Sequence, residues 1–290
     1  MRYKFIFEHR NQWLLQVMLR VLQVSESGYR YWLNKPNCPR HDEDAHYQLM
    51  IRSIFDASRQ TYGSPRIHKD LRELGHRISR KRVARLMREM GLTPIQKRRT
   101  TRTTFSDPRG WYAPNILARD FSAARPNLKW VGDITYIDTK EGWLYLATVI
   151  DLFSRRVVGW AFGNSIDAHL VCKAFKMAVQ QRQPQITEGV RPVFHSDRGS
   201  QYASRDFRSL LQANGFQQSM SAKGDCYDNA VAESFFHTLK IDLVHRRIYE
   251  SAAEARQDIF SYIEGFYNVH RRHSTIAYCS PEEWEQRHAA

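Results

Sequence analysis

The spacing of apolar positions along the chain changes character once, between residues 100 and 130. Before that point apolar residues recur every three or four positions. After it they first alternate, and then the two periods take turns. Trp13 to Leu22 and Tyr29 to Leu33 read as two short helices, separated by Val24-Ser25-Glu26-Ser27-Gly28, with Ser25 placed to cap the second. Pro36 and Pro39 break the pattern. From Asp44 the helical period returns through Leu49, Ile51, Ile54 and Phe55, and Tyr62-Gly63-Ser64-Pro65 punctuates it. Ile67, Leu71 and Leu74 then repeat at i, i+4 and i+7 and stop at Gly75. Ser79 is placed to cap a further helix whose apolar face is Val83, Leu86, Met87 and Met90, ending at Gly91. Two helices joined by a short Gly-containing turn predict a helix-turn-helix.

Residues 100–125, with Thr runs and Pro108, Gly110 and Pro114, read as a linker. Beyond it Trp130 to Asp138 alternates as a strand, Gly142 marks a turn, and Leu144–Ile150 and Val157–Phe162 form two more strands of an antiparallel meander. A helix (168–181), a strand (193–196), a helix (204–213), a strand (216–221) and a helix (229–243) follow. This order predicts an α/β mixed-sheet layer fold preceded by an all-α region. The expected divisions are 1–40, 41–105, a linker over 106–125, and 126–290 with a helical extension at its C-terminal end.

Charge alters this picture in one respect. Residues 1–105 carry 22 Lys and Arg against 9 Asp and Glu, whereas residues 106–290 carry 22 against 21. The net charge of +14 therefore lies almost wholly in the helical first third, as expected of a part that meets a polyanion. The helix after Ser79 carries Arg80, Lys81, Arg82, Arg85 and Arg88, read as an outward face for the DNA major groove, with Lys97, Arg98 and Arg99 just beyond. A small helical bundle with a basic solvated surface would show the same pattern. Hydrophobic content of 42% fits a globular protein, and no apolar run approaches the roughly 20 residues that span a bilayer. Leu14 to Val24 is interrupted by Gln16, Arg20 and Gln23, so no signal peptide is read and a cytoplasmic location is expected. The four cysteines are scattered without a CxxC pair, which disfavours a disulfide framework or a zinc-thiolate site.

Three acids occupy distinctive places: Asp133 within the first strand, Asp197 at the tip of a later one, and Glu233 in the first turns of a helix. On that helix Glu233, His237 and Lys240 share a face. Carboxylates that converge at a sheet edge raise one another's pKa, and a divalent cation relieves the repulsion. Hard oxygen ligands suit Mg²⁺. Two such ions about 4 Å apart can activate an attacking oxygen and stabilise a leaving one in phosphodiester chemistry.

Asp133 in WVGDITYI, Asp197 in HSDRGSQY and Glu233 in DNAVAESFFHTLK resemble the Asp-Asp-Glu motif of the retroviral-integrase superfamily, with 35 residues between Asp197 and Glu233 and Lys240 seven beyond. The wording is most similar to bacterial insertion-sequence transposases encoded by two overlapping reading frames, specifically the second-frame product. WLYLATVIDLFSRRVVGWAF, YNVHRRHSTIAYCSPEEW, VSESGYRYWL and YGSPRIHKDLRELG fit it too, so the resemblance covers nearly the whole chain. It implies an RNase H-like core and Mg²⁺-dependent strand cleavage and strand transfer, with two ions per active site when DNA is bound and Mn²⁺ as a substitute. Asp133, Asp197 and Glu233 would be catalytic and metal-binding, and Lys240 would contact DNA. The implied partners are double-stranded DNA at element ends and target, further copies of the chain on that DNA, and the first-frame product. The integrase His-His-Cys-Cys zinc module is missing, as in the transposase branch, where helix-turn-helix units take its place. A DNA-binding regulator on a decayed core and a metal nuclease that cuts without joining are the competing readings.

Around these acids, Asp151 reads as structural and Asp138 as a turn residue. Asn229 reads as the cap of the glutamate's helix, and His195 and His237 as phosphate contacts or exposed polar groups. Arg271, Arg272 and His273 form a late basic cluster that could hold DNA. Trp130, Trp143 and Trp160 read as core.

Overall fold

The structure is a computed structural model that describes residues 2–34, 39–95, 111–185, 190–222 and 226–288; side chains are described for these except 39–42 and 226. Three short helices open the chain: α1 (Arg2–Glu8), α2 (Leu15–Val21) and α3 (Glu26–Leu33). The first has no counterpart in the periodicity reading. Ser25 caps α3 as expected, accepting from the Gly28 amide at 3.1 Å. Then come α4 (Pro39–Ala57), α5 (Ser64–Glu73) and α6 (Arg80–Glu89). Ser79 caps α6 by accepting from the Arg82 amide. Gly75 and Gly91 end α5 and α6 with positive φ, a conformation that costs glycine little. Ile51, Phe55, Ile67, Leu71, Val83 and Leu86 close the space between the three helices.

The strands β1 (Lys129–Thr139), β2 (Gly142–Asp151) and β3 (Val157–Gly163) form the expected antiparallel meander. After α7 (Ala168–Arg182), β4 (Val193–Ser196) returns to pair in parallel with β1, and β5 (Gln217–Met220) pairs in parallel with β4. The five-stranded order is β3-β2-β1-β4-β5. Alternation along the strands divides the core in two. One face buries Trp130, Ala147 and Val149 with α7 and with α9 (Arg205–Ala213), behind the short α8 (Ser200–Ala203). The other buries Val131, Leu146 and Ile150 against α10 (Ala230–Asp242) and α11 (Ala252–Tyr262), which runs on through one wider turn at Ile263–Tyr267; α12 (Pro281–His288) follows.

Asp138 is a strand residue opposite Trp143, so the turn begins after it. Trp143 is 54% exposed and meets Tyr136 edge-on, so of the three tryptophans it is the one outside the core. Residues 111–125, read as linker, lie on the sheet domain. The Ile116 and Leu117 amides donate to the Ser219 hydroxyl, and Ala113 and Leu117 are buried.

The helix-turn-helix is docked, not tethered. Arg272 ion-pairs with Asp70 and Glu73 of α5, its amide donates to the Tyr62 hydroxyl, and that hydroxyl donates to the His270 carbonyl. Arg271 is 7% exposed and pairs with Asp242 at 3.1 Å, and His273 is largely buried behind it. Arg271 and Arg272 are thus structural, because Asp242 of α10 claims the charge of the first and the acids of α5 claim that of the second.

No helix among the described residues is long and apolar enough to cross a membrane. Asp151 is fully buried and accepts from the Asn127 and Phe153 amides, a structural role; burial, with Glu285 nearby, pushes its carboxyl up to about 6. Gly159 lets α7 lie directly on β3: a Cβ there would stand 2.3 Å from the Ala174 carbonyl oxygen and 2.7 Å from the Ala178 amide. Backbone cannot yield as a side-chain tip does. Gly159→Ala should lower the urea unfolding free energy by about 1–3 kcal/mol, and a midpoint equal to the parent's would refute this packing.

Candidate active site

The parallel pairing of β1 with β4 ends at Val131 opposite His195. Two residues further along lie Asp133 on β1 and Asp197 just past the end of β4, so the two carboxylates stand at matching offsets from that pairing. β4 stops at Ser196, which leaves the edge of β1 without a strand partner from Asp133 until Thr139 bridges to Tyr249. A cleft of about 200 Å³ forms there, lined among others by Asp133, Thr135, Tyr136, Asp197, Gln201 and Tyr202. Each carboxylate has one local donor: the Ile134 amide to Asp133 at 2.8 Å and the Gly199 amide to Asp197 at 3.0 Å.

Those donors do not offset the surroundings. Burial, then the Asp197 charge, raise the Asp133 carboxyl well above the carboxylate range, and Glu233 adds to this; burial also raises Asp197. Burial and the two aspartates push the Tyr202 phenol well above its ordinary value. Gly132 makes this crowding possible, since a Cβ there would stand 2.5 Å from the Phe194 ring. Two buried acids, one of them raised further by the charge of the other, have the electrostatics of a cation site.

Glu233 stands in the first turn of α10, exposed, and does not line the cleft between the aspartates. Among the described residues no group of three His, Cys, Asp or Glu side chains converges closely enough to hold a metal ion. The structure therefore brings Asp133 and Asp197 together and holds Glu233 within electrostatic reach of Asp133. Lys240 lies with its ammonium 4.3 Å from the centre of the Tyr136 ring; burial pushes its pKa down while Asp133 pulls it up.

Asn229 does not cap α10 with its side chain. Its amide nitrogen instead donates to the Gly132 carbonyl at 3.2 Å, fastening the start of the glutamate helix to β1 one residue before Asp133. Asp228 beside it is buried and accepts from Asn115, from Arg119 and from the Ala222 amide. Asp228 escapes a sequence reading, and Asn229 reads as a cap, because Asn115, Arg119 and the Gly132 carbonyl lie about 100 residues away; the only signal is the Asp-Asn pair directly before the helix. His195 is neither a phosphate contact nor exposed. It is fully buried between the Ser219 and Ser221 hydroxyls, and burial pushes it down to about 4. His237 is half-buried on α10.

On the basic helix, Arg80, Lys81 and Arg88 are exposed. Arg82 and Arg85 are engaged by acids. Arg82 pairs with Glu43 and Asp44, and Arg85 with Asp44 and Glu89, so both hold α6 to α4. Lys97, Arg98 and Arg99 lie outside the described residues.

Comparison with known proteins gives this architecture a family. Residues 41–100 match the HTH-like domain, and residues 123–226 and 214–281 match two families described as integrase core domain. Transposase InsF for insertion sequence IS3A of Escherichia coli (strain K12) is 40% identical over 295 residues, 100% of both chains. An uncharacterised 31 kDa protein of insertion element IS600 from Shigella sonnei is 39% identical over 271 residues, 93% of this chain and 98% of its own. Among solved structures, a chain of the simian T-cell lymphotropic virus intasome in complex with PP2A regulatory subunit B56 gamma aligns with a TM-score of 0.46 and 16% identity, covering 64% of this chain and 62% of that one. The catalytic domain of Mos1 mariner transposase aligns at 0.42 and 13%, covering 55% and 74%. Identity of 40% along the entire length to InsF, with helix-turn-helix and integrase-core matches in the same order, makes this chain a member of the IS3 family of insertion-sequence transposases.

Proposed function

We propose that the protein cleaves DNA at the ends of an insertion sequence and transfers the freed strand to a target, with Asp133, Asp197 and Glu233 as its catalytic carboxylates. One observation carries this reading: Asp133 on β1 and Asp197 just past the end of β4 lie at matching offsets from the last paired residues, each holding its proton more tightly than an ordinary acid, beside the helix that bears Glu233. The donor set suits a hard cation, and these three residues would hold Mg²⁺ or Mn²⁺, two ions once DNA is bound. Divalent cations there supply charge neutralisation at the scissile phosphate and a more acidic attacking oxygen. The chain's own part is to fix the angle of α10 through Asn229, exclude water behind Tyr202, and offer Lys240 to the backbone next to the cut.

Residues 1–105 would bind double-stranded DNA and read the terminal inverted repeats, while residues 126–290 perform the chemistry. Arg80, Lys81 and Arg88 are the basic side chains of α6 open to a phosphate backbone. The protein would act in the bacterial cytoplasm as an oligomer on DNA, with a first-frame product as a further partner.

Asp133→Asn, Asp197→Asn and Glu233→Gln should each abolish cleavage and joining of element-end DNA while leaving its binding intact, since each keeps size and loses charge. Joining near the parent rate in any of them would remove that residue from the site, and cutting without joining by the parent would favour a nuclease.

The raised proton affinity of the aspartate pair sets a pH dependence. A cation must displace protons that burial holds on the pair, so Mg²⁺ affinity should rise as pH climbs through and above the ordinary carboxylate range, with protons released on binding. Calorimetry in buffers of differing ionisation enthalpy measures that release. Affinity independent of pH would mean that the carboxylates do not take the ion.

The exposed and the ion-paired arginines of α6 should behave differently. Arg80→Ala with Lys81→Ala and Arg88→Ala should weaken DNA binding and flatten its salt dependence by roughly one unit of slope per lost phosphate contact. Arg82→Ala should chiefly lower stability, because its charge is spent on Glu43 and Asp44. A salt titration beside a thermal melt separates the two. Equal loss of slope in Arg82→Ala would place that residue on the DNA.

A further inference from the structure

On another side of α10 a second cavity, of about 530 Å³, opens between the helix-turn-helix, α10 and the segment after α11. Arg66 of α5, Arg155 of the β2–β3 turn, and Arg271 and His273 line it. Asp242 is the single carboxylate among its described lining residues. That charge is already engaged by Arg271 at 3.1 Å and by the Tyr262 hydroxyl at 2.9 Å.

The remaining cations are poorly satisfied. Among the described residues neither Arg66 nor Arg155 makes an ion pair. Arg66 donates from Nε to the Arg272 carbonyl, and Arg155 from Nη2 to the Phe121 carbonyl. Nη1 of Arg155 and Nε2 of His273 are buried without a hydrogen-bond partner. Guanidinium does not deprotonate in proteins. Burial pushes the pKa of both arginines down, the Arg271 charge lowers Arg66 further, and burial with the three arginines drives His273 well below its usual value. Withdrawing such charges from water costs several kcal/mol apiece unless a counter-charge arrives. Arg155 also holds a left-handed backbone, φ +64°, which a glycine or asparagine would adopt more easily.

The missing counter-charge has a definite chemistry. Two arginine forks, an imidazole and the hydroxyls of Thr238 and Ser274 offer several donors around one space, which suits a tetrahedral oxyanion. The space exceeds one phosphate and would take a length of backbone. It also adjoins the helix-turn-helix at Thr61 and Arg66 and α10 at Ser234 and Thr238, the helix that bears Glu233. We propose that this cavity is a phosphate-binding site, built on Arg66, Arg155 and His273, that grips the backbone of a DNA strand between the helix-turn-helix and the carboxylates. That the phosphate belongs to DNA rests on the transposition reading; the phosphate site itself does not.

The test uses the full chain on an Asp133→Asn background, which stops the chemistry, so a failure of the catalytic assignment leaves these readouts untouched. Arg66→Gln, Arg155→Gln and Arg155→Lys are compared with that parent. Thermal midpoints are measured in inorganic phosphate and in chloride at matched ionic strength. Affinity for a short duplex is measured across a salt series. Phosphate should raise the parent's midpoint and leave both Gln variants unmoved. Each Gln variant should bind duplex about tenfold more weakly, with a slope shallower by about one unit, whereas Arg155→Lys keeps the slope because it keeps the charge. Arg66→Gln serves if Arg155→Gln, which loses its bond to Phe121, fails to fold. A phosphate response with an unchanged salt slope would overturn the DNA assignment and leave a site for free phosphate. Undiminished phosphate response and slope in the Gln variants would overturn the site altogether.

Discussion

The parallel pairing of β4 along β1 is the constraint on which the rest of the site depends. It lasts only from Lys129 to Val131 on β1, yet it fixes the register of two strands whose paired residues lie 64 positions apart in the chain. Had the pairing slipped by one residue, the side chain of Asp197 would leave the opposite face of the sheet from that of Asp133. Had β4 run on, its backbone would have covered the open edge of β1 that forms the cleft. Shortness and register together turn two unremarkable acids into a mutually repelling pair. Phe194 enforces the arrangement from below, packed against Phe175, Phe207 and Tyr202, and Gly132 leaves room for it.

A second set of contacts relates this cleft to the helical first third. Arg272 joins α5 to the C-terminal segment, Arg82 and Arg85 join α6 to α4, and Asp228 takes donors from the strap at Asn115 and Arg119. Most of these are charged groups at least half withdrawn from water. Such pairs contribute modest net stability but are costly to break singly, so they favour one geometry over its neighbours. The strap also touches the loop that leads into α10. Movement of residues 111–119 would therefore be felt at Glu233, which in this structure stands apart from the aspartate cleft.

Much of the architecture was legible in the periodicity. The meander, α7, the short strands 193–196 and 217–220, and the caps Ser25 and Ser79 are marked by residue types within a few positions of one another, and patterning reports those faithfully. Charge was legible as a quantity and not as a location. Arg82, Arg85, Arg271 and Arg272 looked available to DNA because a sequence shows charges without their partners; each proved to be spent on an acid from another element. His195 looked polar and accessible for the same reason, and sits between two serines of the neighbouring strand and its extension. Asn229 looked like a cap because capping is local, whereas its partner is the Gly132 carbonyl.

By itself, then, the sequence determined the elements, the mixed α/β order, the basic first third and the three acids whose motif marks an integrase-type transposase. Each follows from residue type and short-range spacing, which one chain carries in full. Tertiary structure alone decided that Asp133 and Asp197 share a register while Glu233 stands off, and that half the conspicuous arginines are structural. It also decided that two others, Arg66 and Arg155, converge with a histidine around a cavity whose described lining holds one carboxylate. Those outcomes depend on which distant segments meet. A carboxylate's proton affinity, or an arginine's freedom to bind phosphate, is a property of that meeting and not of the residue.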